Sequence, residues 1–168
     1  GVSEPSQWQL AIHSARDAVT QALRLADAAA KPVVIADTQD NPGAGGDSNT
    51  TGMLHALLAQ GAGKRFPGQV ALGLMFDAAA GRAALEAGVG ADLELALGTS
   101  VPTFTGQPSD APVRGRFKVL AVSDGVCTLK GPMMTGLTVR LGPSACLEID
   151  GIRIAVVSGK KQLLDREL

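Results

Sequence analysis

The chain has no tyrosine, one tryptophan and only 3% aromatic residues in 168. A core without large rings must be filled by small aliphatic side chains, and 21 glycines add many tight turns. Only two cysteines occur, Cys127 and Cys146, with no CxxC pair, which argues against a disulfide scaffold and leaves two thiols in strands. Only two histidines occur, His13 and His55, in no HExxH pattern, so a usual zinc-hydrolase site cannot be assembled from this chain alone. No G-x-S-x-G elbow is present. A net charge of -1 gives no reason to expect nucleic acid or an anionic membrane as a partner. The apolar runs fall well short of the roughly 20 residues that a membrane span needs. No basic-plus-apolar leader precedes the first helix, so a cytoplasmic location is expected. With 45% hydrophobic and 18% charged residues the chain reads as globular, one domain over residues 1–168.

What is present centres on residues 32–58. Val33, Val34, Ile35 and Ala36 form an apolar run without polar alternation, which predicts a strand in the middle of a sheet. A Gly-rich acidic loop over 37–49 follows, then a helix over 50–60. Such a junction is where open α/β sheets place ligands, outside the carboxyl ends of strands. The loop carries Asp37, Asp40 and Asp47 and neither Lys nor Arg. The Walker and dinucleotide glycine patterns are both unmet, and three carboxylates repel a phosphate. The same carboxylates suit a cation or a substrate amine. They are also the residue types that cap turns, with Asp47 or Ser48 placed to cap the following helix.

Before this stretch, Trp8, Ala11, Ile12, Ala15, Val19, Ala22, Leu23 and Ala26 recur at helical spacing, predicting an amphipathic helix over 6–30 with Ser6 as its cap. After it, a strand is expected over 69–75, with Asp77 capping a helix over 78–87. Alternating Leu93, Leu95 and Leu97 mark a further half-buried strand. This strand-helix-strand-helix order favours parallel pairing. Residues 99–112 read as a Pro/Ser/Thr-rich connection. Beyond it the helical period is lost. Apolar runs at 116–122 and 126–130 flank Asp124-Gly125, and runs at 145–149 and 152–157 flank Asp150-Gly151, the strongest short hairpin signal. The second turn pairs Ile149 with Ile152, Glu148 with Arg153 and Leu147 with Ile154, so that apolar partners share a face. The expected class is therefore mixed α/β: an N-terminal helix and strand-helix-strand-helix half (1–98), then an antiparallel, hairpin-rich half (113–168). The polar run 159–168 has no clean stop and reads as a chain cut before its natural end.

The residues Ala36, Asp37, Asp40, Asn41, Pro42, Gly43, Gly45, Gly46, Asp47 and Thr50 match a strand, A-D, D-N-P-G-G-G and G-D-x-T order, with Ala44 in place of one glycine. In this the chain resembles the C-terminal domain of the microcystinase C (MlrC) family of metallopeptidases. Weaker matches at Phe76-Asp77, Gly88, Gly90, Gly98, Gly131-Pro132, Gly136 and Gly142 extend the likeness along nearly the whole chain. The resemblance implies a two-domain hydrolase of peptide-like bonds that uses zinc held by an Asp and two His of a larger N-terminal domain, which this chain lacks. It implies that the partner of this domain is that missing half, that the substrate is peptide-like, and that the chain alone holds no zinc and is inactive. Asp37, Asp40, Asn41, Gly43, Gly45, Gly46, Asp47 and Thr50 are then the candidate cleft residues. A free-standing module that binds a small polar ligand at the same loop, and a purely structural domain, are the alternatives.

Overall fold

The structure is a computed structural model and describes residues 11–165. Four α-helices, α1 (Ala15–Ala26), α2 (Gly52–Ala59), α3 (Ala62–Arg65) and α4 (Ala78–Ala87), accompany seven strands. The strands are β1 (Val70–Phe76), β2 (Asp92–Leu97), β3 (Val113–Ser123), β4 (Val126–Thr128), β5 (Thr138–Arg140), β6 (Ser144–Ile149) and β7 (Ile152–Val157). Five of them form one sheet in the order β1-β7-β6-β3-β2, and β4 pairs with β5 in a second. The class is mixed α/β, as the sequence predicts.

The most buried strand takes an interior place. Ile152, Ile154 and Val156 of β7 are wholly buried, and β7 is flanked by β1 and β6. Its hairpin with β6 has the predicted register, Ile149 opposite Ile152, Glu148 opposite Arg153 and Leu147 opposite Ile154. Asp150 and Gly151 supply the two positive φ angles, 49° and 77°, of a type I′ turn. The core gathers on one face of the sheet, where Phe117, Val119 and Leu147 meet Leu54 and Leu57 of α2, Val19 of α1 and Ala84 of α4.

Several expectations are corrected. The strand predicted at 33–36 lies in neither sheet, and Val34 is 85% exposed. β1 and β2 are not parallel neighbours but the two edges of the sheet; the parallel ladder is β1 with β7. The connection through α4 is explained by curvature. Four strand spacings would hold the edges roughly 19 Å apart in a flat sheet. Yet the Gly98 N–H, just after β2, donates to Asp77 Oδ2, just after β1, at 3.1 Å. The sheet therefore curls until the carboxyl ends of its edge strands meet. Asp124-Gly125 makes no two-residue hairpin: β3 pairs with β2 and β6, and β4 with β5. Gly125 alone has positive φ there, its backbone lies against Gly142, and its carbonyl accepts the Leu141 N–H at 2.7 Å, which turns the chain toward β5. Finally, α1 is shorter than predicted. Ser14 caps it, accepting the Asp17 N–H at 3.1 Å, and Ile12 stands outside it in solvent. The expected Ser6 cap and Trp8 lie outside the described residues.

Candidate functional site

The chain from 37 to 51 crosses the corner where β1 and β2 end. Ser48 is fastened to β1: its Oγ donates to the Leu74 carbonyl at 2.6 Å, and its own carbonyl accepts the Phe76 N–H at 2.8 Å. Asn49 is fastened to the segment after β2, its carbonyl accepting the Thr99 N–H at 2.8 Å. Thr51, wholly buried, donates to the Ala111 carbonyl at 2.8 Å. His55 shares that acceptor through Nε2 at 2.7 Å; since a carbonyl only accepts, Nε2 carries the proton. Both give His55 and Thr51 a positioning role toward the 99–112 connection.

The three loop carboxylates differ sharply. Asp40 is the hub. Its Oδ1 accepts the Ser48 N–H at 2.8 Å, and its Oδ2 accepts the N–H groups of Asn49 and Thr50, each at 2.7 Å, and the Thr50 hydroxyl at 2.9 Å. Burial alone pushes its pKa up. The hydrogen bonds from Thr50, Ser48 and Asn49 outweigh that and hold it below the ordinary carboxylate range. Asp47, exposed, accepts from Lys160 Nζ at 2.7 Å. The cap expected from Asp47 or Ser48 is therefore absent: α2 begins after Thr51, which makes no side-chain cap bond. Asp37 accepts the Gln39 N–H at 2.9 Å and the Asp40 N–H at 3.4 Å, both on Oδ1. Its Oδ2 has no partner among the described residues.

The glycines between them have separate reasons. Asn41 Oδ1 accepts the Gly43 N–H at 2.8 Å and opens a 3-10 turn, Pro42–Ala44, which Gly45 ends at φ 99°. At Gly46 a Cβ would stand 2.8 Å from Asp40 Oδ1 and 2.9 Å from the Asn41 nitrogen, so the close approach excludes a side chain. At Gly43 it would stand 2.7 Å from the Gln162 amide, which covers the turn.

A groove of about 770 Å³ opens beside the first part of the loop. Its walls come from α1, residues 33–39, Thr50, Gly52, Met53 and the Ser109-Asp110 end of the 99–112 connection. Of the candidate residues, Asp37 and Thr50 line it, while Asp40, Asn41, Gly43, Gly45, Gly46 and Asp47 do not. The donor set does not fit a metal ion. Asp40 has both oxygens occupied by N–H and O–H donors, Asp47 faces an ammonium, and no group of three His, Cys, Asp or Glu able to hold a metal occurs among the described residues. Neither cysteine is in a disulfide, and Cys146 has its thiol pushed up, chiefly by burial, so it is no activated nucleophile. No described helix is long and apolar enough to cross a membrane.

Sequence reasoning missed the partners of the loop, Lys160 and Gln162, and the anchors Ser48, Thr51 and Ala111. The positive φ of 57° at Ser48 has no signature in a serine. The repeated glycines near Asp40 are the signal from which the close backbone approach at Gly46 could have been read.

The family described as MlrC C-terminus matches residues 35–168. Microcystinase C from Sphingomonas sp is 32% identical over 135 residues, covering 80% of this chain and 24% of the relative. The chain thus spans about a quarter of the length of that curated relative. A crystal structure from Mesorhizobium sp. BNC1, named a putative metallopeptidase, matches with a TM-score of 0.70 at 23% identity, over 93% of this chain and 29% of that one. At that identity the likeness is one of fold.

Proposed function

The chain belongs to the MlrC C-terminal family, and from that membership we propose that it is the accessory domain of a zinc-dependent hydrolase of peptide or amide bonds, with its 37–50 loop bordering the active-site cleft. On this reading the metal and its activated water belong to the rest of the longer polypeptide. No step through a metal is assigned to the described residues of this chain, because their donor set does not fit one. What the chain supplies is a wall and orientation. Asp40 holds the loop rigid by gathering three backbone N–H groups. Asp37 lines the groove and keeps a carboxylate oxygen without a partner among the described residues, suited to a substrate amine or amide N–H.

The observation that carries the proposal is the contrast between two aspartates. Asp40 stands away from the groove with both oxygens occupied by the loop's own donors, whereas Asp37 lines the groove with Thr50 and has one oxygen without a partner among the described residues. In the longer protein, Asp37→Asn is expected to lower kcat/KM for peptide hydrolysis about 10- to 100-fold, the worth of one charged hydrogen bond, without moving the melting temperature. Unchanged kcat/KM would overturn the role of Asp37. Zinc-dependent turnover of a linear peptide by this chain alone would overturn the accessory reading itself.

A further inference from the structure

We propose that residues 33–36 are a docking edge for a β-strand supplied by the remainder of the longer polypeptide, an inference that rests on the accessory-domain reading above. Val33, Val34 and Ile35 are β-branched, and a run of this kind occurs in the middle of sheets. Here it has no ladder. Residues 33–36 are in neither sheet, and their backbone N–H and C=O groups bond to no described residue. Ile35 packs against the core and pins the segment by one side chain, while Val34 points to solvent at 85% exposure. A pinned segment of strand-forming residues with open hydrogen-bonding groups is a template for strand addition.

The surroundings specify the occupant. The groove of about 770 Å³ runs along this segment, and Ala18, Ala22 and Leu25 of α1 give it an apolar wall. Asp37 and Asp110 also line it, so an incoming strand with apolar residues and a basic side chain is complementary. Each of the seven described strands already lies in a ladder. The matched part of the microcystinase C relative is 24% of its length, so a chain of that kind has ample polypeptide to supply another strand. Pairing at 33–36 would also set the position of Asp37, the next residue, relative to the rest of the protein.

The test is amide hydrogen exchange on the longer protein. The Val34, Ile35 and Ala36 amides should exchange at least about a hundredfold more slowly than unstructured ones, and the protection should survive removal of residues 1–10. Val34→Pro, which removes an N–H and blocks a ladder, should abolish protection at the neighbouring amides, while Val34→Thr should retain it. Unprotected amides in a protein that still hydrolyses peptides would overturn this inference and leave the accessory reading standing. Protected amides in a protein without any hydrolase activity would do the reverse. Protection lost on dilution together with a dimer, or lost with residues 1–10, would assign the partner strand to a second copy or to this chain and overturn the proposal.

Discussion

Residues 33–39 and residues 40–50 are consecutive stretches of one connector, and they are held in opposite ways. The second is tied to the fold at almost every residue: Asp40 to three amides, Asn41 to the 3-10 turn, Ser48 to β1, Asn49 to the end of β2. The first is attached by the side chain of Ile35 and by the turn at Asp37, and otherwise stands open beside the groove. Acidic residues at both ends look alike in the sequence. One serves the chain's own backbone, and the other has an oxygen without a partner among the described residues. Function is thus better sought at the residue whose bonding is incomplete than at the one with the densest motif around it.

The contrast can be broken most directly at Asp40. Asp40→Ala leaves the N–H groups of Ser48, Asn49 and Thr50 without their acceptor and is expected to lower the unfolding free energy by about 2 kcal/mol in urea titrations. A loss no larger than that of Asp37→Asn would erase the distinction between the two stretches. Gly46→Ala comes next, at about 1–2 kcal/mol, because its Cβ would meet backbone and the Asp40 carboxylate together. Gly45→Ala has open space and suffers only the left-handed backbone penalty, about 1 kcal/mol.

Acid sharpens the same contrast. The folded pKa of Asp40 lies below the ordinary value, so the unfolded chain takes up this proton first. Its contribution is complete above the unfolded pKa of about 3.9 and is lost as pH falls through the lower folded value. Asp40→Asn should remove that part of the acid slope in stability measured between neutral pH and the acid limb. The smallest effects belong to the open stretch and to the exposed Lys160–Asp47 pair. Asp37→Asn should stay within about 0.5 kcal/mol, and Lys160→Ala within about 1 kcal/mol and less at high salt.

Local rules recovered a good part of the fold. Asp77 caps the helix that begins at Ala78, its carboxylate accepting the Ala80 N–H at 3.0 Å, because a cap acts over three residues. The β6–β7 register follows from a two-residue turn and the alternation on either side of it. The alternation of Leu93, Leu95 and Leu97 likewise marked β2. What escaped was set at a distance. Nothing near Asp124 records that Gly142 will lie against Gly125, and nothing near Asp40 records acceptance from residues eight to ten positions on. The run at 33–36 shows the limit most plainly. Composition states a preference for the extended form but not whether a neighbour exists to satisfy it. Within the site, the residue types of the loop were legible; which carboxylate would be consumed internally was not, since that depends on how the curled sheet brings the ends of β1 and β2 together against Ser48 and Asn49.

The exposed strip at 33–36 carries a hazard as well as an opportunity. Outside both sheets and uncharged from Val33 to Ala36, and β-branched at Val33, Val34 and Ile35, it offers each molecule a place to recruit an identical segment from the next. Concentrated solutions of the separated domain should therefore self-associate edge to edge, and Val34→Lys should keep them monomeric.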